Sequence, residues 1–360
     1  MEVNKHIAVL PGDGIGPEVT EQATHILNAI AERFGHTFTY ETGLIGAAAI
    51  DETGDPYPEE TASICQRADA ILFGAIGDPR YDNDPTAKVR PEQGLLRMRK
   101  SLGLYANIRP VTTYESLADI SPLKNEIIKG VDFVVFRELT GGIYFGEPRG
   151  RTENGQSAFD TCTYSFEEIE RVAALAFEAA QNRNKRLTLV DKANVLATSR
   201  LWREKVTAMA ANYPDVQLDF MFVDNAAMKI IQNPAHFDVV VTENMFGDII
   251  TDEASVLTGS LGMLPSASIG KGVSLFEPIH GSYPQVAGQN KANPLAAILS
   301  AAMLLNHSFG LIEESQVIEE AVKKAIESGV CTEDLKPSKV HSTTEVGAFV
   351  VKNIQEKVMA

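Results

Sequence analysis

Residues 237–255, FDVVVTENMFGDIITDEAS, contain the pattern from which the fold can be worked out. The stretch opens with a short apolar run rich in β-branched residues, which is too short for a helix and predicts a buried strand ending near Thr242. We expect a turn over residues 244–247 and a helix from Asp248 onward. Asp248 and Asp252 then lie one turn apart on the same helical face.

The spacing of these two acids has two interpretations. Like charges four residues apart on a helix repel each other, and a hard divalent cation such as Mg²⁺ bound to both carboxylates would offset that repulsion. The alternative is that both acids face solvent near the positive N-terminal end of the helix dipole.

Short apolar runs alternate with helical patterns along the rest of the chain, which predicts an α/β protein with a mainly parallel sheet. Residues 11–19, PGDGIGPEV, join a predicted strand to a helix begun by Pro17. They do not form a Rossmann fingerprint, because the third glycine of GxGxxG would fall on Pro17 or Val19. A phosphate-binding turn and a purely structural turn both remain open.

Composition bounds the class of protein. The chain has 360 residues and a net charge of −16, which argues against a nucleic-acid partner because phosphate binding needs a positive field. The longest nearly apolar stretch, residues 295–305, is too short to cross a membrane and predicts a buried helix. Three cysteines without a CxxC pair suit buried thiols in a reducing compartment. With no cleavable apolar segment before Pro11, we expect a cytoplasmic protein.

Four charged residues, Arg137, Lys192, Asp224 and Asp248, each follow the end of a predicted strand. In open α/β sheets, ligands bind at the carboxyl edge of the strands. Each residue alone suits a surface ion pair, but together they indicate a site for an anion, a metal and a titratable base.

A helix is predicted from Pro91, and on it Glu92, Leu95, Leu96 and Arg99 share one face. The two leucines either pack on the core or line a pocket that takes a branched apolar group beside a carboxylate.

Two polar rings lie in stretches without regular periodicity. Tyr144 stands among glycines, where a hydroxyl suits a site better than a core, and His280 lies in an irregular loop over residues 277–294. Such long ordered loops are more often functional than not.

Six stretches occur in an order that resembles the isocitrate/isopropylmalate dehydrogenase family of metal-dependent β-decarboxylating dehydrogenases, and the resemblance is to its isopropylmalate branch. They are LPGDGIGPEV (10–19), RPEQGLLRMRK (90–100), RELTGGIYFGEPRG (137–150), VDKANVL (190–196), TENMFGDIITDEASVLTGSLGMLPSAS (242–268) and EPIHGS (277–282). The resemblance implies a two-domain fold with mainly parallel sheets that is not a Rossmann fold. It implies a first, cofactor-binding domain from residues 1–104 with 259–360, and a second domain, residues 105–258, that forms a homodimer.

The resemblance also implies roles for individual residues. Arg99, Arg109 and Arg137 match the arginines that bind substrate carboxylates, and Glu92, Leu95 and Leu96 match the recognition of an isopropyl group. Asp248 and Asp252, with Asp224 from the partner subunit, match ligands of Mg²⁺ or Mn²⁺, while Tyr144 and the partner's Lys192 match the acid–base pair.

The implied cofactor is NAD. The matching cofactor positions are Ile15, Glu277, His280, Gly281, Ser282, Gln285 and Asn293, with Asn194 near the nicotinamide. Gln285 departs from the family pattern, which has an aspartate that binds the ribose diol and repels a 2′-phosphate. No lysine or arginine takes that position, so we still expect NAD.

The implied reaction is oxidative decarboxylation of (2R,3S)-3-isopropylmalate to 4-methyl-2-oxopentanoate and CO₂, in leucine biosynthesis. The first alternative is a relative acting on isocitrate, homoisocitrate or tartrate; Leu95 and Leu96 argue against it, since a third carboxylate would need polar or basic groups. The second is a silent regulatory subunit, which we would expect to have lost a residue of the acid–base or metal set.

Overall fold

A computed structural model describes residues 2–82 and 87–356. These residues divide into two compact units: unit 1 is drawn from Met1–Leu102 and Gly259–Ala360, and unit 2 from Gly103–Thr258. Unit 1 therefore comes from both ends of the sequence and unit 2 from its middle. The assignment of cofactor binding to residues 1–104 with 259–360, and of the dimer contact to residues 105–258, stays a prediction.

Strands and helices are numbered in chain order. The described strands are β1 (Asn4–Gly12), β2 (Thr37–Thr42), β3 (Ala70–Ala75), β4 (Leu104–Thr112), β5 (Asp132–Glu138), β6 (Gly150–Arg151), β7 (Ala158–Phe159), β8 (Arg186–Asp191), β9 (Gln217–Phe222), β10 (Val239–Thr242), β11 (Pro265–Gly270) and β12 (Leu275–Pro278). The described α-helices are α1 (Gly16–Phe34), α2 (Ala47–Thr53), α3 (Glu59–Arg67), α4 (Pro79–Asp82), α5 (Pro91–Ser101), α6 (Asn125–Ile128), α7 (Phe166–Gln181), α8 (Ala197–Ala210), α9 (Val223–Gln232), α10 (Asn244–Thr258), α11 (Leu295–Phe309), α12 (Ile312–Glu327) and α13 (Thr343–Gln355).

Unit 1 has strands in the order β2-β1-β3-β12-β11, all parallel except β11, which runs antiparallel to β12. Helix α11 packs on β11, β12 and α1, and every residue from Leu295 to Leu305 is buried. The helix predicted from the apolar run at 295–305 is thereby confirmed. Among the described residues, no helix combines the length and apolar character needed to cross a bilayer.

Unit 2 has strands in the order β4-β5-β10-β8-β9, with only β4 antiparallel to its neighbour. A core of buried apolar side chains, which includes Phe133, Val240 and Ile250, lies where strands β5 and β10 meet helix α10. The parallel strands β5, β8, β9 and β10 all end at one edge. The predicted α/β class with mainly parallel strands is confirmed.

That edge positions the charged residues slightly differently from the prediction. Lys192 directly follows β8, and Asp224 lies two residues after β9, in the first turn of α9, so both lie just beyond a strand end as expected. Arg137, however, lies inside β5, one residue before its end, and Asp248 lies in the second turn of α10. Side chains from a strand, a strand end and a helix therefore meet at this edge.

The turn predicted over residues 244–247 is wrong, because α10 already begins at Asn244 and Gly247 makes the helical bond to Glu243 (N–O 2.9 Å). Close packing, rather than a turn, explains the glycine at position 247, because a Cβ there would lie 2.7 Å from Cγ of Arg137. Helix α2 was not predicted. The Ser342 side chain caps the last helix, α13.

The glycine-rich turn between β1 and α1 packs against backbone. A Cβ on Gly14 would lie 1.9 Å from the carbonyl oxygen of Ser282, so only glycine allows this approach. The carboxylate of Asp13 accepts hydrogen bonds from the backbone N–H groups of Ala47, Ala48 and Gly77 (2.9–3.0 Å). Because the turn already contains the Asp13 carboxylate, which is bonded to backbone N–H groups, we favour a structural role for the turn over phosphate binding.

The three cysteines are free thiols; Cys65 and Cys331 are buried, whereas Cys162 is only half-buried. Burial raises the pKa of Cys65 and of Cys331 to about 11, so both stay protonated and unreactive at neutral pH.

Candidate active site

Two arginines and two aspartates of unit 2 form one cluster. Arg137 pairs with Oδ1 of Asp248 through Nη1, and its side chain is only 4% exposed. Arg109, 8% exposed, approaches Oδ1 of Asp248 and Oδ1 of Asp252, each at 3.6 Å. Asp248 and Asp252 share one face of α10, as the sequence predicted, and both carboxylates lie beside buried guanidinium groups, although Asp252 is 66% exposed.

The arginines are held by neutral oxygen acceptors as well. The register of β4 on β5 places Asn107 opposite Arg137, and the Asn107 side chain accepts from Nε of Arg109 at 2.6 Å. Thr251, between the two aspartates, accepts from Nη1 of Arg109 at 2.5 Å. Neutral acceptors orient a guanidinium without adding further negative charge to the cluster.

Tyr144 joins this cluster from a 3₁₀ turn over Gly142–Tyr144. Its hydroxyl donates to Oδ2 of Asp248 at 3.0 Å, and the guanidinium of Arg137 lies 5.9 Å from its ring centre. Partial burial, and then the charge of Asp248, raises the pKa of Tyr144. The phenol therefore keeps its proton at neutral pH, as a proton donor must.

Lys192 and Asp224 form a pair of their own in unit 2. Nζ of Lys192 lies 2.7 Å from Oδ1 of Asp224, and this hydrogen bond lowers the pKa of the Asp224 carboxyl. Neither side chain makes a hydrogen bond or ion pair with Asp248 within the described part of the chain. Lys192, the predicted base, and Asp224, the predicted third metal ligand, thus lie together in one subunit, next to the ends of strands β8 and β9.

The oxygen donors suit a hard cation. Asp248 and Asp252 present carboxylates on one helical face, and Mg²⁺ and Mn²⁺ prefer oxygen ligands. In the described residues of a single chain, no three His, Cys, Asp or Glu side chains converge into a metal-binding group. A complete ligand set would need an oxygen from substrate, water or a second chain.

Arg99 lies in unit 1, buried on α5. Its Nη2 donates to Oε1 of Glu277 at 2.8 Å, while its buried Nε has no hydrogen-bond partner among the described residues. On the same helix, Leu95 and Leu96 are half-buried and Glu92 is exposed. Glu277, predicted near the adenine, is therefore paired with a residue predicted to bind substrate.

A cavity of about 490 Å³ lies within unit 1 and includes four of the predicted cofactor residues. They are Ile15, His280, Gly281 and Asn293. The other lining residues include Leu261 and Lys291, which lie in the stretch 242–268 and the loop 277–294, and Glu333 and Asp334, for which no local sequence pattern provided a signal. Asp334 comes from the C-terminal part of the chain and accepts from the Asn293 amide at 2.9 Å, a contact that only the fold reveals.

His280 has one unused nitrogen beside this cavity. Its Nδ1 is 2.9 Å from the carbonyl oxygen of Gly281, and its buried Nε2 has no partner in the part of the chain that the structure describes. Burial lowers the pKa of His280, so the ring is neutral at pH 7. A neutral ring nitrogen without a partner suits a ligand that hydrogen-bonds rather than one that carries charge.

Three further predicted residues lie elsewhere. The Ser282 carbonyl oxygen accepts from the N–H of Ile15 at 2.8 Å, and Gln285 lies on the 3₁₀ segment Pro284–Val286; neither is among the described residues that line the cavity. Asn194 belongs to unit 2, where it is exposed on the turn after Lys192.

Comparison with known proteins places this site in a family. The family model for isocitrate/isopropylmalate dehydrogenase matches residues 6–350. The chain is 59% identical over 348 residues to a 3-isopropylmalate dehydrogenase from Geobacillus kaustophilus strain HTA426, covering 95% of this chain and 94% of the relative. It is 58% identical over 354 residues to the enzyme of the same name from Bacillus subtilis strain 168, covering 97% of each.

Solved structures agree. An isocitrate dehydrogenase from Methylococcus capsulatus superposes with a TM-score of 0.88 at 32% identity, covering 98% of this chain and 100% of that one. A β-decarboxylating dehydrogenase from Thermococcus kodakarensis gives a TM-score of 0.80 at 35% identity, with coverage of 98% and 96%. Because the family model matches residues 6–350, which is nearly the whole chain, this chain belongs to the isocitrate/isopropylmalate dehydrogenase family.

Proposed function

We propose that this protein oxidises and decarboxylates (2R,3S)-3-isopropylmalate to 4-methyl-2-oxopentanoate and CO₂ with reduction of NAD, in leucine biosynthesis in the cytoplasm. The observation that carries this is identity of 58–59% over nearly full length to two relatives named 3-isopropylmalate dehydrogenase. The cluster of Arg109, Arg137, Tyr144 and Asp248 supplies the chemical groups that the reaction needs.

The substrate is a dianion with a branched apolar substituent. Arg109 and Arg137 bind carboxylate oxygens, and the unpartnered Nε of Arg99 provides a further donor. Leu95 and Leu96, with Glu92, recognise the isopropyl group. Two half-buried leucines would not accommodate the third carboxylate of isocitrate, which supports the isopropylmalate branch over the isocitrate branch.

Asp248 and Asp252 hold Mg²⁺ or Mn²⁺ together with Asp224 of the partner subunit. NAD is held by Ile15, Glu277, His280, Gly281, Ser282, Gln285 and Asn293, with Asn194 near the nicotinamide. When bound, NAD would supply a hydride acceptor for C2, and the divalent cation would supply a Lewis acid for the oxygen on that carbon. Glu333 and Asp334 line the unit 1 cavity and disfavour an added 2′-phosphate, which supports NAD over NADP.

Two side chains of this protein move the protons. Lys192 accepts the proton of the C2 hydroxyl, directly or through water, as C2 becomes a ketone. The carboxylate on C3, now β to that ketone, leaves as CO₂. Tyr144 then donates its proton to C3; its raised pKa keeps that proton in place until this step.

The active form is a homodimer with shared sites. Met228 and Ile249 are 54% and 58% exposed on the adjacent helices α9 and α10, and large exposed apolar side chains there suit contact with a second copy. Lys192 and Asp224 pair with each other and make no ion pair with Asp248 in their own described chain, which supports their donation to the other subunit's site.

The test is a single assay series on the purified protein. We expect NAD reduction with 3-isopropylmalate that stops on addition of a chelator and returns with Mn²⁺ or Mg²⁺. Isocitrate, homoisocitrate and tartrate serve as competing substrates, and NADP as the competing cofactor. A higher kcat/KM with any competing acid would overturn the substrate, and equal or higher efficiency with NADP would overturn the cofactor.

A further inference from the structure

Asn244, the first residue of α10, joins two parts of the candidate site through one amide group. The residue is 1% exposed. Its Oδ1 accepts from both Nε and Nη2 of Arg137, at 3.1 and 2.9 Å. Its Nδ2 donates to the carbonyl oxygen of Gly141 at 3.1 Å. The two ends of the amide therefore bind a guanidinium and the loop that leads to Tyr144.

This side chain does not cap its own helix. At the starts of α7 and α13, the Ser165 and Ser342 side chains accept from backbone N–H groups of the helix that follows, as N-caps do. Asn244 is the first residue inside α10, and among the described residues its side chain bonds to β5 and to the loop after it. Helix capping therefore does not explain an asparagine at this position.

The loop it holds has little freedom. The N–H of Gly141 donates to the buried Glu138 carboxylate at 2.7 Å, and Gly142 adopts a φ of +73°. A Cβ on Gly141 or Gly142 would lie 2.7 or 2.3 Å from the ring or hydroxyl of Tyr164. The hydroxyl of Tyr164 in turn accepts from the backbone N–H of Asn244 at 2.9 Å. Asn244 thus fixes the Gly141 carbonyl three residues before Tyr144.

We propose that Asn244 is a positioning residue that couples the orientation of the Arg137 guanidinium to that of the Tyr144 hydroxyl; this rests on the proposed function for the roles of those two groups. The neutral amide is specific for the task. An aspartate would still accept from Arg137 but would repel the Gly141 carbonyl oxygen, and an alanine would leave both groups without this restraint.

Two variants separate the two ends of the amide. Asn244→Asp keeps the acceptor and loses the donor, so we expect kcat to fall by roughly 10- to 100-fold, as for a reacting group displaced by about 1 Å, with KM within about threefold of the wild type. Asn244→Ala removes the acceptor and the donor together, so we expect a similar loss in kcat together with a rise in KM of roughly tenfold. Asn28→Asp is the control, because it adds the same charge to the exposed end of a hydrogen bond from Tyr40 in unit 1.

Hydrogen–deuterium exchange gives a readout that needs no turnover. Amides of residues 139–146 should exchange faster in both Asn244 variants than in the wild type, with α7 unchanged, and Asn28→Asp should match the wild type throughout. Unchanged exchange at 139–146 in Asn244→Asp, or a loss of activity with the same KM in both Asn244 variants, would overturn the proposal. If the wild type itself fails to turn over, the proposed function falls while the exchange result still decides whether Asn244 holds the loop.

Discussion

Mixing two inactive variants tests whether the active sites are shared between subunits. Lys192→Ala removes the proposed base and Asp248→Asn removes a proposed metal ligand, so each homodimer should be inactive. Lys192 makes its close ion pair with Asp224 and none with Asp248 in its own described chain, so we expect the two residues of one site to come from different subunits. A heterodimer of the two variants would then contain one intact site and one site with both defects.

The expected activity follows from that count. A purified heterodimer, obtained by co-expression with two different affinity tags, should show about half the wild-type kcat per dimer, because one of two symmetry-related sites is complete. If both residues served the same chain's site, the heterodimer would retain only the residual activity of its parents. The two outcomes differ by orders of magnitude and need only the isopropylmalate assay.

The structure also supplies a matched control. Lys192 and Asp224 lie 2.7 Å apart in one chain and should reach a site together. A heterodimer of Lys192→Ala with Asp224→Asn therefore has a defect in each site and should stay inactive. Activity in that control, or its absence in the first heterodimer, would refute the assignment of these residues to opposite subunits.

Neither change should unfold the protein. The Lys192–Asp224 pair joins a half-buried lysine to an exposed aspartate, and an ion pair that is open to solvent on one side contributes little to stability. Asp248→Asn keeps an oxygen acceptor for Arg137 but places an amide NH₂ where Oδ2 accepts from Tyr144, and it loses the charge, which together costs roughly 1–3 kcal/mol. Both losses are small beside the roughly 5–15 kcal/mol that usually separates folded from unfolded protein.

Three further predictions concern single residues. Tyr144→Phe should lower kcat by roughly 10²- to 10⁴-fold because it removes a proton donor. KM and the midpoint of thermal unfolding should change little, since the substitution removes one hydrogen bond to Asp248. A wild-type kcat in steady-state kinetics would contradict the role of Tyr144 as proton donor. Leu95→Ala and Leu96→Ala should each lower kcat/KM for 3-isopropylmalate by roughly 10- to 200-fold. The reduction should be smaller for malate, which has no isopropyl group. Equal reductions for both acids would exclude these leucines from recognition of the isopropyl group. Burial, with a small contribution from a neighbouring acid, raises the pKa of the Glu243 carboxyl in the folded protein from 4.5 to about 7. The free energy of unfolding is therefore highest below pH 4.5 as far as this group is concerned, and it falls as the pH rises through 7. Glu243→Gln removes this carboxyl, so its free energy of unfolding relative to the wild type should increase by roughly 1–3 kcal/mol between pH 5 and pH 8. Urea unfolding at both pH values measures this. If the variant and the wild type differ by the same free energy at pH 5 and pH 8, the carboxyl is not destabilised by its burial.

Elements with strong apolar periodicity could be predicted from the sequence. The strand ending at Thr242, the helix after Pro91 and the buried helix at 295–305 all follow from runs whose burial overrides other signals. The prediction of element boundaries was wrong where a residue type that is typical of turns is required instead by packing between distant parts of the chain. Gly247 suggested a turn but is small because Arg137 packs against it, and this moved the predicted helix start by four residues.

That displaced start also concealed part of the candidate site. With α10 beginning at Asn244, the residues at positions 244, 248 and 252 form one i, i+4 row, so periodicity alone would have drawn attention to Asn244. Asn107 and Thr251 gave no such signal, because their partner Arg109 lies on a strand whose register on β5 is set by pairing far apart in sequence. Local pattern cannot reveal a contact that depends on antiparallel register.

The charge balance of the cluster explains why these neutral partners matter. Arg109 and Arg137 carry two positive charges and Asp248 and Asp252 two negative ones, so the group is formally neutral without ligands, in a protein whose net charge is −16. A divalent cation and a substrate dianion add equal and opposite charges, so together they leave the cluster neutral, whereas either alone would leave it with a net charge of two beside the buried arginines. Had acids rather than Asn107, Thr251 and Asn244 held the guanidinium groups, the cluster would already be negative and would repel the dianion. Amide and hydroxyl acceptors orient the arginines without adding negative charge, which is the condition that binding a cation together with a dianion places on this part of the fold.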